Sequence, residues 1–240
     1  MISIFRKIRK KFFSNKLSSY LLYAIGEIVL VMIGILLALQ VNNWNEERKQ
    51  NIQLKSILKK VRIDLVADTL RAKPILQFYD SINKYSTKVI NKDYDAKTIQ
   101  SCLLCRSLTT LYQPFVVQDK GYNMLKNFEE LETRKNDSLQ NTILQFYKQM
   151  TDMLDQSNEF VKSETLKNLD YFKSQPWFVD WMQGRFTEDM KDYFGESVDY
   201  RNRVASNFIL ASQNHANFIK AHRDNAVELI NQIDDRLESN

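Results

Sequence analysis

The hydrophobic pattern of this chain changes character twice. Tyr20 to Val41 reads YLLYAIGEIVLVMIGILLALQV, an apolar run broken by a single charge at Glu27. At 1.5 Å per residue such a helix is about 33 Å long, enough for a hydrocarbon core of about 30 Å. Tyr20 and Tyr23 stand at one end and Trp44 at the other, the placement of an interfacial aromatic belt. A transmembrane helix is therefore expected over 20–42.

After it the apolar residues recur with helical spacing. No Gly or Pro occurs between Asn45 and Pro74, so the spanning helix is expected to continue outward. Leu54, Leu58, Val61 and Leu65 form a narrow stripe suited to coiled-coil or bundle packing. Pro74 is expected to kink or restart the helix, followed by a stripe of Ile75, Tyr79, Ile82, Tyr85 and Val89. Asn91 to Asp95 reads as a turn, 97–112 as a short helix, and 112–118, with Pro114 and Val116-Val117, as extended chain. Asp119 can cap a brief helix to about Phe128.

Asp137 is a predicted N-cap for a helix longer than 30 residues. Its stripe is Leu139, Ile143, Phe146, Met150, Met153, Ser157, Phe160, Glu164, Leu169 and Phe172. Pro176 ends it. Trp177, Phe178, Trp181 and Phe186 make an aromatic connector with Gly184, and Gly195 breaks the chain again. A final helix is expected from Ser197 to Leu237, with Val204, Phe208, Ala211, His215, Phe218, His222, Ala226, Leu229, Ile233 and Leu237 on one face. None of these stripes can be buried by its own helix. The predicted fold is all-α: an N-terminal transmembrane helix, then an elongated bundle of three long helices with short connecting ones. The predicted division is a tail over 1–19, the span over 20–42 and a helical domain over 45–240.

Composition sharpens this picture. Five Gly and three Pro in 240 residues favour long helices over many turns. The net charge of +5 is local: Arg6, Lys7, Arg9, Lys10, Lys11 and Lys16 make a tail of +6 without an acid, and the residues beyond the span are neutral in sum. A neutral domain lacks the basic face that nucleic acid requires. A short cationic segment beside an apolar helix fits an anionic lipid surface. Positive charge stays inside, so the N-terminus is expected in the cytoplasm and the bulk of the chain in the periplasm. The competing reading, a cleaved signal peptide, needs a shorter apolar run of about 7–15 residues and a small-residue cleavage site that ALQVNN does not offer.

Glu27 is costly inside a bilayer. Glu27, Val31, Gly34 and Ala38 share one helix face, and Gly34 with Ala38 is a small-xxx-small pair that lets helices approach closely. One reading is a helix–helix contact, in a homo-oligomer or with another membrane or envelope protein. The other places Glu27 at the cytoplasmic boundary among headgroups and leaves Gly34 incidental.

Lys7-Ile8-Arg9, Tyr23-Ala24-Ile25-Gly26-Glu27-Ile28, Ile33-Gly34-Ile35-Leu36 and Asn43-Trp44-Asn45-Glu46 together resemble a bacterial family of single-pass membrane proteins, of the domain-of-unknown-function 6090 type. The likeness is strongest over residues 4–49. Farther on it is loose, limited to a helical pattern and the segment Tyr122 to Asn127. It implies that Glu27 and Trp44 are family features, and it implies the topology. It carries no activity.

Candidate chemistry in the helical domain is sparse. Cys102-Leu103-Leu104-Cys105 has redox spacing but a helical rather than strand-to-helix context. A disulfide is one alternative, which local helical geometry resists; two buried thiols are the reading adopted here. His215 and His222 with the cysteines could make four zinc ligands, but six residues between histidines is outside the usual three to five. Packed or interfacial histidines are expected instead. The Trp177-Phe178-Trp181 group is read as closing a bundle end rather than touching lipid or a ligand. Glu129-Glu130 and Asp234-Asp235 are read as solvated pairs. There is no Gly-rich phosphate loop, HExxH or GxSxG. No catalytic, metal-binding or cofactor residue is assigned, and no cofactor is expected. The function expected is non-catalytic: a membrane-anchored helical domain serving assembly in the cell envelope. The alternative is an extracytoplasmic ligand-sensing bundle acting through a partner protein.

Overall fold

A computed structural model describes residues 17–131 and 137–239; the basic tail expected at the N-terminus lies outside them apart from its last three positions. Among the described residues the chain is helical without strands. The elements are α1 (Leu17–Ile90), α2 (Ala96–Ser101), a 3-10 turn (Leu104–Arg106), α3 (Lys120–Leu131), α4 (Ser138–Lys173), α5 (Phe178–Met182), α6 (Glu188–Glu196), α7 (Val198–Asn207), a π-helical segment (Phe208–His215) and α8 (Ala216–Glu238). The chain forms two compact units, Met1–Leu54 and Lys55–Asn240.

In the first unit the described residues belong to α1. Every side chain from Tyr20 to Lys49 is exposed, including Leu30 at 73% and Leu37 at 61%. Among the described residues one helix is long and apolar enough to cross a membrane, and this is its apolar part.

In the second unit, Leu58, Val61 and Leu65 are fully buried, as their spacing predicts; of the second stripe Tyr79, Ile82 and Val89 are buried, and Ile75 and Tyr85 are half-buried. Pro74 does not restart the helix. α1 runs through it, because Pro74 and Leu70 both face solvent, and water can satisfy the Leu70 carbonyl that loses its N–H partner. Helix α4 begins where expected: the Asp137 carboxylate accepts from the Leu139 and Gln140 N–H groups. Of the predicted stripe beyond Met150, Ser157 and Phe172 are buried and the other positions are not. Leu154 and Val161 are buried, whereas Met153 is half-exposed and Phe160 is 55% exposed. A strict heptad stripe drifts around a straight helix of 3.6 residues per turn, and the observed burial follows the straight helix.

The expected last helix is present but not uniform. Phe208–His215 is π-helical, with Ala211, Ser212 and His215 buried on the inner face. α4 packs on both the π segment and α8. The aromatic connector is packed as predicted: Phe172, Trp177, Phe194 and Tyr200 are buried with Ile82, Val89, Ile99 and Val204, and Phe178, Trp181, Phe186 and Tyr193 lie half-buried against them. Asp234 is not merely solvated: it accepts from both Nε and Nη2 of Arg62 on α1. The side chains of Glu129 and Glu130 lie outside the described residues.

Candidate functional site

The predicted helix over 97–112 ends at Ser101, and the reason lies at the cysteines. Cys102 takes an extended conformation (φ −99°, ψ 91°) as the C-cap of α2, which brings its Cα to 5.2 Å from that of Cys105. That separation suits a disulfide, and the two cysteines are bonded to each other rather than being free thiols. The helical geometry that would have resisted the bond is absent because the helix has already stopped. The closed loop is only Cys102–Cys105, so the crosslink restricts the unfolded chain little, about 2 kcal/mol in the entropic account.

From Cys102 the chain runs to Gln118 with the 3-10 turn as its only helical piece. Phe115 and Val117 are buried while Pro114 and Val116 are exposed, the alternation of an extended chain, as the sequence predicts for this stretch. An extended segment without a neighbouring strand leaves its peptide groups unpaired, which is costly inside a protein. Here side chains take the place of a strand. The Tyr200 hydroxyl donates to the Cys105 carbonyl, Trp181 Nε1 donates to the Arg106 carbonyl at 3.1 Å, and Asn207 Nδ2 donates to the Leu108 carbonyl at 2.5 Å. Tyr79 Oη donates to the Gln113 carbonyl at 2.8 Å and accepts the Gln113 N–H at 3.1 Å. The Asn158 carboxamide pairs with both peptide groups of Phe115. Arg71 Nη2 donates to the Val116 carbonyl at 2.5 Å.

Two buried carboxylates finish the connector. Asp68 accepts the Gln118 N–H at 3.0 Å and an Arg71 Nη2 hydrogen at 2.5 Å. Asp64 accepts the Gly121 N–H at 2.7 Å and pairs with Lys60 at 2.6 Å. Gly121 is the second residue of α3, so a carboxylate from α1 supplies the acceptor that a helix N-terminus needs. The approach is so close that a Cβ on Gly121 would sit 2.6 Å from the backbone N and Cα of Val61. Burial pushes the Asp68 carboxyl up from the ordinary carboxylate range, against the pull of the Gln118 N–H and Arg71. Sequence reading missed both aspartates. The signal was present: they lie on the same apolar face as Val61, Leu65 and Ala72, where an acid must find a partner.

His215 and His222 are packed residues, as expected, and both are fully buried. His215 Nδ1 lies 2.8 Å from Ser157 Oγ, and Nε2 lies 3.3 Å from the Gln113 carbonyl. Ser157 has one hydroxyl hydrogen: donated to the Leu154 carbonyl at 2.9 Å, it leaves Oγ to accept Nδ1–H, whereas with the ring proton on Nε2 and donated to Gln113 it goes to Nδ1 instead. A serine–histidine pair can be nucleophile and base, but both members are inside the core, and the outer contacts of the pair are the carbonyls of Leu154 and Gln113. The pair ties α4, the π segment and the connector together. His222 lies between Phe115, which it meets edge to face, and Phe146, to which it is tilted, with ring centroids at 5.2 and 5.1 Å, and neither ring nitrogen has a hydrogen-bond partner. The Asp68 Oδ2 atom is 3.8 Å from its Nε2. Burial lowers both histidines to about 4, so both are neutral at physiological pH. Among the described residues no three Cys, His, Asp or Glu side chains are gathered as metal ligands; the cysteines are bonded to each other.

A shallow groove of about 640 Å³ runs along the outer side of the connector, where Tyr112, Pro114 and Val116 face Glu159, Lys162 and Leu166 of α4. In the first unit, Glu27, Val31, Gly34 and Ala38 are all exposed on α1, as are Tyr20, Tyr23 and Trp44. A Cβ on Gly26 or Gly34 would meet nothing within 4 Å.

No curated protein and no solved structure matches the chain. The family resemblance carried by Glu27, Gly34 and Trp44 has a counterpart: residues 27–103, from the apolar helix through α2 to the CxxC segment, match the family of unknown function DUF6090.

Proposed function

We propose that this protein is a membrane-anchored, non-catalytic helical domain that assembles with itself or with other envelope proteins. One observation carries the reading: the apolar side chains of α1 from Tyr20 to Val41 are exposed, a surface that prefers lipid or another helix to water. The cationic tail orients this helix with the N-terminus in the cytoplasm and the helical domain outside. The Cys102–Cys105 disulfide supports the same side, since oxidising compartments retain such bonds. The helix contact uses the Glu27, Val31, Gly34 and Ala38 face, where the missing Cβ of Gly34 admits a neighbouring backbone. Tyr20, Tyr23 and Trp44 anchor the two interfaces.

Sedimentation of the full chain in a neutral detergent tests this reading. An oligomer that dissociates on Gly34→Ile supports assembly through the span. A monomer that also captures no envelope protein from detergent-solubilised membranes overturns it.

A further inference from the structure

Among the described arginines, one is buried without a carboxylate. Arg62, Arg71, Arg185, Arg203, Arg223 and Arg236 each hold a carboxylate. Arg106, at the end of the 3-10 turn, is only 3% exposed and has no acidic partner among the described residues. Its guanidinium makes one weak contact, Nη1 to the Arg185 carbonyl at 3.4 Å, and rests 5.1 Å from the Phe186 ring centroid. Nε is buried without any partner. Burying a cation is expensive unless an anion accompanies it.

The part of the guanidinium left over is informative. Nη1 is engaged, so the Nε–Nη2 edge remains, two parallel N–H donors in one plane. That edge matches the two oxygens of a carboxylate. Phe186 connects it to solvent: the ring that covers Arg106 also lines a cleft of about 420 Å³, with Lys97, Gln100 and Lys191 around it. The two acids of the cleft are already engaged, Asp95 by the Thr98 N–H and hydroxyl and Glu188 by Lys191. Phe186 sits in the loop between α5 and α6, just after Gly184, whose φ of +71° suits glycine. Phe186 therefore touches both the Arg106 guanidinium and the cleft.

We propose that Arg106 is the anchor of a binding site for a small carboxylate-bearing solute, which enters through the cleft lined by Lys97, Gln100 and Lys191 and displaces the Phe186 ring. The site does not depend on how the chain assembles in the membrane. Burial already lowers the Arg106 guanidinium from its usual range, and a bound carboxylate reverses that.

The test is thermal melting of the full chain in neutral detergent with sodium acetate or sodium succinate, against sodium chloride of equal ionic strength. Acetate or succinate is expected to raise the melting temperature with the logarithm of (1 + concentration/Kd), by about 3 °C near a concentration of about five times Kd. Phe186→Ala is expected to lower the Kd fitted to that curve. Arg106→Met is expected to abolish the response while melting no lower than the parent without ligand, because the side chain no longer buries an unpaired charge. Arg106→Lys, which retains charge but not the fork, is expected to raise the fitted Kd by about tenfold or more. Shifts equal to those of chloride, an undiminished response in Arg106→Lys, or a larger response of the same form to inorganic phosphate would each overturn the assignment.

Discussion

Asn158 and Phe115 are paired as two strand residues would be: the Asn158 Oδ1 accepts the Phe115 N–H at 3.0 Å and its Nδ2 donates to the Phe115 carbonyl at 2.7 Å. One helix side chain thus does for the connector what a neighbouring peptide does in a sheet. Asn158→Leu is similar in volume but leaves a buried donor and a buried acceptor unpaired. A loss of about 2–6 kcal/mol is expected, at about 1–3 for each of the two orphaned groups. Denaturant unfolding of the full chain in detergent measures it, and a loss below about 1 kcal/mol would mean the connector rearranges to find water.

Gly121 is constrained by contact rather than by dihedral. A Cβ there falls 2.6 Å from the Val61 N and Cα atoms, and neither backbone atom can swing aside as a side chain would. Gly121→Ala must push α3 away from α1 and stretch the 2.7 Å bond from the Gly121 N–H to Asp64. Overpacking of this kind costs about 1–3 kcal/mol. The expected result is a lower melting temperature together with faster amide exchange at Gly121; unchanged exchange would show that α3 does not move.

The sequence was informative wherever local chemistry decides the outcome. Asp137 caps α4, and the Leu58–Val61–Leu65 spacing marks the buried face of α1, because capping and periodicity are short-range effects. It was less so where a distant residue decides. Pro74 stays helical because its own turn faces water. Phe160 is exposed and Val161 buried because small differences in helical period accumulate over a helix of 36 residues. The connector was legible as extended chain, but the residues that hold it, Tyr79, Asn158, Asn207 and Asp68, lie between 34 and 99 positions away. Nothing in the local pattern announces such pairings. The π segment at Phe208–His215 has no evident local cause.

The Cys102–Cys105 bond should matter less for stability than its placement implies. Its loop is short, so removing it by the double change Cys102→Ser and Cys105→Ser is expected to cost about 2 kcal/mol or less. Mass measurement of the alkylated protein before and after reduction establishes the bond, and chemical denaturation gives its contribution. A loss well above that value would show that the crosslink acts on the native packing of Cys105 against the aromatic cluster rather than through the unfolded chain.

Acid sensitivity follows from the two buried histidines. Folded His215 and His222 titrate near 4 against an ordinary 6.5, since burial disfavours the imidazolium. Between those values the unfolded chain takes up protons that the folded chain refuses. Stability is therefore complete above the unfolded value and is lost as pH falls from 6.5 toward 4, by up to about 3 kcal/mol for each ring. Asp68, which faces His222 at 3.8 Å, works the other way: its folded carboxyl is raised, so mild acid favours the folded form there and offsets part of the loss. Two histidines against one aspartate leave a net fall. His222→Leu removes ring nitrogens that have no partner and keeps apolar packing against Phe115 and Phe146, so it should leave stability at pH 7 nearly intact and reduce the pH dependence by more than half. Melting temperatures between pH 7.5 and pH 4.5, taken for both proteins, read this directly. A parent profile as flat as that of the variant would mean that the His222 ring keeps its water in the folded protein.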